Sequence, residues 1–217
     1  MRAFFILFGL TVVGTASSQL EPADFLDGTV REFAQRTDYR LIPPDEADAA
    51  HSAVHATCRD ATASALIVER EVDITKTPFL EWRWRVDTIF QGIDETEKPG
   101  DDYPARVYVI AERWPRFRSR VINYVWSSSQ PMGATWESAY ASQFQMVAVR
   151  SGSADLGRWV TDRRDVREDF RRLHGIEIDS VDAVAIMTDC DNAGQQASAW
   201  YGPVRWLPQT KSAETAE

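Results

Sequence analysis

The feature that most constrains the fold of this chain is a strict alternation of apolar and charged residues over residues 79–87. Its apolar members are Leu80, Trp82, Trp84 and Val86, and its charged members are Glu81, Arg83, Arg85 and Asp87. Successive side chains of a β-strand point to opposite faces, so a period of two predicts a strand with one buried face. We therefore expect the two tryptophans to lie in a core and the two arginines to face outward.

The same two-residue period recurs along the chain and is interrupted by turn-forming residues. Residues 105–111 repeat it most clearly, and eight further segments are rich in Val, Ile, Trp and Tyr, which favour strands. These segments are residues 39–42, 53–58, 65–74, 121–126, 144–150, 157–161, 181–188 and 198–206. Many short strands separated by Pro, Gly, Asn and Asp predict a mainly β fold, an antiparallel β-sandwich of the jelly-roll type.

Helical signals are confined to two segments. A helix is predicted over residues 166–174, with Asp165 placed to cap its first turn and Gly175 placed to end it. A weaker helical pattern lies near residues 25–35. We therefore expect one or two short helices beside the sheets. Residues 87–103 mix glycine, proline and acidic residues, which indicates a long loop.

The start of the chain has the three-part layout of a secretory signal peptide. A positive start at Met1-Arg2 precedes an apolar run without charges, and small residues follow at the position of a cleavage site. The run is shorter than the roughly 20 residues that span a bilayer, which disfavours the alternative of a membrane anchor. We expect a signal peptide over residues 1–18, one β-sandwich domain over residues 19–208 and a disordered tail over residues 209–217. The mature protein is then periplasmic or secreted.

The chain is acidic, with a formal net charge of −9 at pH 7. Nucleic acids and anionic lipids are polyanions that bind positively charged proteins, because such binding releases their counterions. We therefore exclude nucleic acid as a partner. We also expect no stable membrane anchor once the signal peptide is removed.

Two cysteines, Cys58 and Cys190, lie on the apolar sides of two predicted strands. An exported protein folds in an oxidising compartment, where an even number of cysteines permits a disulfide. Two interpretations stay open, a disulfide between Cys58 and Cys190 or two buried free thiols, which are common in cores. Two cysteines so far apart in sequence do not resemble a metal site.

Polar and aromatic residues of the predicted strands form a candidate ligand-binding set. If residues 79–87 and 105–111 belong to one sheet, a single surface carries Arg83, Arg85, Arg106, Tyr108 and Trp126, with Asp101 and Asp102 in the adjoining loop. Aromatic rings stack on the C–H faces of sugars, while arginines and acids bond sugar hydroxyls. The sequence therefore predicts a saccharide-binding face. The structural alternative for Arg83 and Arg85 is an ion pair that holds a loop.

Asp189, Asp191 and Asn192 place oxygen donors at the end of a predicted apolar strand. Hard cations such as Ca²⁺ take about six to eight oxygen ligands, so these three donors make an incomplete site. Asp and Asn also form turns with their own backbone. The sequence leaves a calcium site and a structural turn as alternatives, and it indicates no other cofactor.

Six short motifs follow one another along the chain: WRWRV at 82–86, GDDYPARVYV at 100–109, YVW at 124–126, RSG at 150–152, Trp159 with RDV at 164–166, and MTDCDN at 187–192. Together they resemble the DUF3047 family of bacterial exported proteins over residues 33–206. The resemblance implies an exported β protein and no particular activity. It also implies a small hydroxyl residue where Cys190 stands, so a disulfide there would be particular to this chain. The alternating strands resemble jelly-roll carbohydrate-binding modules at the level of fold.

Two functional hypotheses follow. The first is a non-catalytic module that binds a saccharide or a cell-envelope glycan, which the lack of a nucleophile elbow or a phosphate-binding glycine loop in the sequence favours. The alternative is a hydrolase or lyase that acts on an envelope polysaccharide. Asp101 or Asp102 would then serve as acid and base, or Arg106 would neutralise a substrate carboxylate while Tyr108 takes a proton. An envelope structural protein without a ligand is the third interpretation.

Overall fold

The structure, a computed structural model, describes residues 19–47 and 50–209, and this part of the chain is mostly β. The strands are β1 (Gln19–Leu20), β2 (Thr29–Glu32), β3 (Asp38–Ile42), β4 (Ala53–Cys58), β5 (Ala63–Asp73), β6 (Phe79–Val86), β7 (Ala105–Ala111), β8 (Arg120–Ser127), β9 (Thr135–Glu137), β10 (Phe144–Ser151), β11 (Val160–Asp165), β12 (Ser180–Asp189) and β13 (Ala197–Leu207). The α-helices are α1 (Pro22–Leu26) and α2 (Val166–His174), and short 3-10 turns occur at Lys98–Gly100 and Arg116–Arg118. The predicted signal peptide lies outside the described residues, as does the predicted tail beyond its first residue.

The strands form two sheets that pack face to face. The six-stranded sheet has the order β11-β6-β13-β4-β3, with β1 paired to β13, and the seven-stranded sheet has the order β2-β5-β12-β7-β8-β10-β9. Among the described strands the neighbours are antiparallel, apart from the parallel pair of β8 and β10. The predicted β-sandwich with few helices is confirmed. No helix in the described part of the chain is long and apolar enough to cross a membrane.

The core between the sheets is built largely from aromatic rings. Trp82 and Trp84 of β6 point into it, as the alternation predicts, and each is at most 1% exposed. Trp84 meets Trp126 of the opposite sheet at a centroid distance of 5.8 Å. Trp82 stacks on Tyr124, also of the opposite sheet, at 5.1 Å. Two rings from each sheet therefore hold the sandwich together, since such pairs add to the free energy of apolar burial.

Helix α2 has the residues and the ends that its sequence predicts. The Asp165 carboxylate accepts a hydrogen bond from the Glu168 N–H at 3.0 Å. Gly175 ends the helix with a φ of 66°, a left-handed conformation that glycine adopts without strain. The strand before the helix, predicted from residue 157, starts later at Val160. The chain turns through Gly157, whose φ of 71° is incompatible with a regular strand.

The helix predicted near residues 25–35 is wrong. Helix α1 ends at Leu26, and Thr29–Glu32 forms strand β2, which pairs with β5. Gly28 lets the chain pass close to β5 before β2 begins, because a Cβ atom there would lie 2.3 Å from the carbonyl oxygen of Ile67. The β-branched residues that follow favour an extended backbone. A long-range strand pairing therefore overrides the local helical pattern.

Cys58 and Cys190 form a disulfide, with Cα atoms 6.0 Å apart. Cys58 ends β4 of the six-stranded sheet, and Cys190 directly follows β12 of the seven-stranded sheet. Phe90 and Ala197 pack around the bridge. The disulfide thus joins the two sheets at the end where the long loop of residues 87–104 also lies.

Candidate functional site

The predicted shared face of Arg83, Arg85, Arg106 and Tyr108 is wrong, because their strands belong to different sheets. Arg83 and Arg85 lie on β6 and face outward from the six-stranded sheet. Arg106 and Tyr108 lie on β7 and face outward from the seven-stranded sheet. The two pairs are therefore on opposite sides of the sandwich.

The two arginines of β6 make structural contacts on their own sheet. The guanidinium of Arg83 lies over the ring of Trp159, 5.0 Å from its centre. Arg85 Nε donates to Asp87 Oδ1 at 2.7 Å, and its guanidinium lies 5.4 Å from the centre of the Trp200 ring. Cation–π contacts and ion pairs of this kind stabilise a sheet surface. The alternative interpretation of these residues, a structural role, fits their contacts.

Trp126 also lies away from the predicted face. Its ring packs in the core, and its indole N–H donates to the Gly152 carbonyl at 3.1 Å. Strand β8 is buried on both faces. Alternation alone therefore does not tell which of its residues point between the sheets. Val121 and Asn123 of this strand, and not Trp126, line the outer face of the sheet.

The remaining predicted residues, apart from Asp102, meet at one end of the outer face of the seven-stranded sheet. A cavity of about 400 Å³ opens there, and we call it the acidic cavity. Strands β7, β8 and β12 supply its floor, and the loops before β7 and β10 supply its sides. Its polar and aromatic lining consists of Arg31, Phe33, Asp101, Arg106, Tyr108, Asn123, Ser138, Tyr140, Phe144, Asp189, Asp191 and Asn192. The predicted ligand set and the predicted metal set, separate in the sequence, thus share one site.

Arg106 is held by the protein at the base of this cavity. Its Nε donates to Asp189 Oδ1 at 2.9 Å, and its Nη2 donates to Asp189 Oδ2. Nη2 also donates to the Asp101 carbonyl at 2.8 Å. The guanidinium lies over the ring of Tyr103, 4.2 Å from its centre. These contacts satisfy a buried cation and fix the loop before β7 to the end of β12.

The carboxylates of the cavity have raised pKa values. Burial raises the pKa of Asp189 to about 8, with a smaller contribution from Asp102, while Arg106 opposes the shift. Burial also raises the pKa of Asp101 and of Asp191, and the Asp102 charge adds to both shifts. Removal from water disfavours the charged form of an acid, and nearby like charges reinforce that effect. The surroundings of the cavity therefore disfavour the charged form of these three carboxyl groups.

Asp102 is bound by the turn that follows β12. Its carboxylate accepts from the backbone N–H of Asn192 at 2.9 Å and from that of Ala193. The side-chain amide of Asn192 also donates to it, at 3.2 Å. Tyr140 in turn donates its hydroxyl to Asn192 Oδ1 at 3.0 Å. The turn and the loop before β7 are therefore locked together on one side of the cavity.

Three carboxylates stand close enough to share a metal ion. Asp102, Asp189 and Asp191 each offer an oxygen within 4.8 Å of the other two. The predicted metal set of Asp189, Asp191 and Asn192 shares two members with this group, and the Asn192 side-chain oxygen accepts from Tyr140. The sequence placed Asp102 with the sugar-binding set because its loop leads into β7.

Two buried oxygens of the cavity lack a hydrogen-bond donor among the residues that the structure describes. They are Asp101 Oδ1 and Asn123 Oδ1, and these residues are 5% and 1% exposed. Buried polar atoms are nearly always bonded, and an unbonded one costs about 1–3 kcal/mol. Both oxygens are therefore available to donor groups of a ligand. Sequence reasoning missed Asn123, for which the signal was an amide inside an otherwise apolar strand.

An apolar groove of about 830 Å³ continues from the cavity over the same sheet face. The residues that line both are Arg31, Phe33, Tyr108 and Phe144. The floor of the groove carries small and branched side chains: Ala65, Ile67, Ile110, Val121, Ala183 and Ala185. Beside the cavity, Phe33 is 57% exposed and Tyr140 is 56% exposed. Exposed rings therefore stand next to the buried acceptor oxygens.

Solved structures with similar architecture include sugar-binding and sugar-degrading proteins. A structure of TmCBM61 in complex with β-1,4-galactotriose matches with a TM-score of 0.40 and 6% identity, over 83% of this chain and 88% of that chain. A structure of carbohydrate-binding modules of promiscuous specificity from the β-sandwich superfamily matches with a TM-score of 0.42 and 11% identity, over 89% of this chain and 63% of that chain. An exo-β-agarase matches with a TM-score of 0.41 and 7% identity, over 85% of this chain and 24% of that chain. This chain therefore spans less than two thirds of the second and third proteins. At these scores the similarity does not extend to ligand or activity.

The sequence itself matches one family and no curated protein. The model of the family described as "Protein of unknown function (DUF3047)" matches residues 27–205, which is most of the chain and includes the whole lining of the acidic cavity. The motifs at 100–109 and 187–192 supply most of its polar residues. This chain belongs to the DUF3047 family.

Proposed function

We propose that this protein binds a saccharide in the acidic cavity, with the sugar chain continuing along the adjacent groove. The main support is the pair of buried acceptors, Asp101 Oδ1 and Asn123 Oδ1, which have no donor among the described residues. Sugar hydroxyls are donors of the required kind, and a bound ligand would remove the cost of leaving these oxygens unbonded. A cavity of about 400 Å³ is also within the usual range for small-ligand sites.

The aromatic residues at the edges of the site supply the second element of sugar recognition. Tyr140 and Phe33 are each more than half exposed beside the cavity. The C–H face of a pyranose ring stacks on such rings while its hydroxyls reach polar groups. The apolar groove then accommodates the C–H faces of further sugar units. A chain of several units fits this layout better than a free monosaccharide.

The charge of the cavity narrows the ligand class. Asp101 and Asp191 line it beside the pair of Asp189 and Arg106, and a ligand carboxylate would face both. Bringing like charges together in a buried site costs roughly several kcal/mol. Uronic acids carry a carboxylate, so they are disfavoured as ligands. Neutral sugars and amino sugars present donors without that repulsion. We propose a neutral or amino-sugar glycan of the cell envelope as the ligand.

Export to the periplasm or the exterior is part of the proposal. The signal-like start of the sequence supports it. The disulfide between Cys58 and Cys190 supports it independently, because such bonds persist in oxidising compartments.

An enzyme that cleaves the same glycan is the alternative. Burial raises the pKa of Asp101, which favours the protonated acid that a hydrolase uses to protonate a leaving group. The lyase scheme has less support, because Arg106 is already bonded to Asp189. The Tyr108 hydroxyl donates to Met187 Sδ at 3.1 Å, and burial raises the pKa of Tyr108, so it is a poor base.

A glycan array followed by calorimetric titration of the best oligosaccharide tests the proposal. We expect Tyr140→Ala to weaken binding by up to about tenfold through loss of stacking, and Tyr140→Phe to retain most of the affinity. Arg83→Ala, on the opposite sheet, is the matched control and should bind as the wild type does. Affinity that survives Tyr140→Ala but is lost in Arg83→Ala would overturn the assignment of the site. Turnover of the bound glycan, abolished in Asp101→Asn, would favour the enzyme.

A further inference from the structure

We infer that the loop between β7 and β8 docks on the surface of a membrane that contains anionic lipids. This β7–β8 loop spans residues 112–119, and β7 ends at it after starting beside the acidic cavity. Residues 112–120 contain four arginines and one glutamate, in a chain whose formal net charge is −9. Positive charge is therefore concentrated in one short segment of an acidic protein. Docking there does not require that the protein binds a saccharide.

Two aromatic rings of the β7–β8 loop are exposed to solvent. Trp114 is 87% exposed, the largest fraction for any large hydrophobic residue in the described part of the chain, and Phe117 is 67% exposed. Aromatic side chains gain free energy when they leave water. Tryptophan is favoured at the boundary between lipid and water, where its ring lies among the headgroups. These rings therefore suit insertion into the headgroup layer of a bilayer.

The exposed arginines beside these rings have no acidic partner. Arg113 and Arg118 form no ion pair with a carboxylate of the described residues. Two acids, Glu112 and Asp182, lie at the base of the loop, where the Glu112 N–H donates to Asp182 Oδ2 at 2.6 Å. Guanidinium groups bind phosphate oxygens through several donors at once. The headgroups of anionic lipids present such phosphates on a negatively charged surface.

Hydrogen bonds inside the β7–β8 loop hold it in this exposed conformation. Arg120 Nη1 donates to the carbonyls of Phe117 and Ser119, at 3.2 and 3.0 Å. The Arg113 N–H donates to Ser119 Oγ at 3.0 Å across the base of the loop. A loop that is already ordered loses less conformational entropy on binding. Arg120 therefore has a structural role, and the two exposed arginines stay available to headgroups.

The size of the exposed patch favours a lipid surface over a protein partner. Stable protein interfaces bury about 800 Å² on each partner, whereas two aromatic side chains bury roughly 150–250 Å² each. A bilayer needs no matching contour, and each inserted ring and each arginine at a phosphate adds to binding. The acidic remainder of the protein is repelled by the same surface, although salt screens that repulsion beyond about 8 Å. Docking is therefore weak, reversible and confined to the loop.

The β7–β8 loop also borders the proposed saccharide site. Phe117 lines the apolar groove, which continues to the acidic cavity. Strand β7 leads from the cavity to the loop and has 7 residues, which span roughly 20 Å of extended chain. If the proposed saccharide site is correct, docking would hold it within roughly that distance of the lipid headgroups.

Co-sedimentation of the mature protein with lipid vesicles at physiological salt tests the inference. We expect binding to phosphatidylcholine vesicles that contain about 30% phosphatidylglycerol, and at least about tenfold weaker binding to phosphatidylcholine alone. Trp114→Ala should weaken binding at least about fivefold, because the inserted ring is lost. Met132→Ala is the matched control, because Met132 is 70% exposed and follows the opposite end of β8, and it should bind as the wild type does.

The contribution of the arginines is tested separately from net charge. Replacing Arg113 and Arg118 together by glutamine should weaken vesicle binding about 25-fold, since each arginine near an anionic surface contributes about fivefold. Replacing Arg59 and Arg158 together by glutamine removes the same charge from exposed positions outside the loop and should leave binding unchanged. All variants share the same termini, so a difference between them reports on the loop.

Three results would overturn the inference. They are no binding of the wild type at millimolar lipid, equal binding by Trp114→Ala and the wild type, and equal weakening by the two pairs of arginine substitutions. Retention on an immobilised anionic polysaccharide that depends on Arg113 and Arg118, without vesicle binding, would assign the loop to a soluble polyanion instead.

Saccharide titration of the loop variants separates this inference from the proposed function. Arg113, Trp114 and Arg118 line neither the acidic cavity nor the groove, so these variants should bind the saccharide as the wild type does. Vesicle binding without saccharide binding refutes only the glycan, and saccharide binding without vesicle binding refutes only the membrane.

Discussion

Arg106 and Asp189 form a buried two-point ion pair across neighbouring strands of the seven-stranded sheet. Arg106 Nε lies 2.9 Å from Asp189 Oδ1, and Nη2 bonds Oδ2. Their side chains are 7% and 2% exposed. Strand β7 carries the arginine and β12 ends with the aspartate. The pair therefore couples the floor of the acidic cavity to the end of β12, directly before the turn at Asp191 and Asn192.

Removing Arg106 alone should destabilise the protein strongly. Arg106→Met would leave the Asp189 carboxylate buried without its partner, which costs about 3–5 kcal/mol. Arg85→Met is the matched control, because the pair of Arg85 and Asp87 is partly exposed and is worth at most about 1 kcal/mol. Urea unfolding of both variants measures the difference. Equal free energies of unfolding would show that the buried pair has no special role.

The disulfide should contribute substantially to stability. Cys58 and Cys190 are separated by 132 residues, so the bond restricts a large part of the unfolded chain. Replacing both cysteines by alanine should lower the free energy of unfolding by about 2–5 kcal/mol. A reducing agent should lower the urea midpoint of the wild type and leave that of the double variant unchanged. A wild type that is insensitive to complete reduction would contradict this expectation.

Trp84 should contribute strongly to the free energy of unfolding. Trp84 is fully buried, contacts Trp82 and Trp126, and donates its indole N–H to Asp162 at 2.8 Å. Trp84→Ala should cost about 3–5 kcal/mol through the cavity it creates. Trp114→Ala, at a residue that is 87% exposed, should change stability by at most about 0.5 kcal/mol. Thermal unfolding of the two variants compares the costs, and similar losses would contradict the assigned core.

Acid should weaken the fold partly through His55. Burial lowers the pKa of His55 from 6.5, with Arg40 and Arg85 adding to the shift and Asp87 and Asp38 opposing it. The unfolded chain then binds protons at a higher pH than the folded chain does. Stability is therefore lost as the pH falls from above 6.5 through the lowered value.

The variant His55→Gln isolates this contribution, because glutamine keeps a polar group beside Ser198, to which His55 is bonded. The loss of unfolding free energy between about pH 7.5 and about pH 5.5 should be smaller in the variant than in the wild type. Urea titrations at the two pH values measure it. Identical losses in both proteins would show that His55 has the same proton affinity folded and unfolded.

The class of fold could be predicted from the sequence because the alternation of buried and exposed side chains is visible within a few neighbouring residues. The alternation around Trp82 and Arg83 encodes one buried and one outward face of a strand. The caps of α2 at Asp165 and Gly175 are equally local, and both lie where the sequence places them. The sheet to which a strand belongs cannot be told from neighbouring residues in the sequence. Nothing in the alternation of β6 and β7 distinguishes partners in one sheet from strands of two sheets, since pairing depends on distant residues.

The candidate site could be predicted only in pieces for the same reason. Five polar residues at or near strand ends are recognisable in the sequence, but they suggest two separate sites. They are Asp101, Asp102, Arg106, Asp189 and Asp191. The turn after β12 and the loop before β7 meet only in the folded chain. Trp126 was misplaced because both faces of β8 are buried. Tyr140 was missed because its segment has no periodic pattern.

We propose that the ligand occupies the outer face of the seven-stranded sheet and not the arginine-rich face of the other sheet. An NMR titration of ¹⁵N-labelled mature protein with the best oligosaccharide from the array tests it most directly. We expect saturable chemical-shift changes for the amides of Asp101, Asn123 and Tyr140, and no change for the amide of Arg83 or the indole of Trp159. Saturable shifts at Arg83 and Trp159, with those of the acidic cavity unmoved, would contradict it.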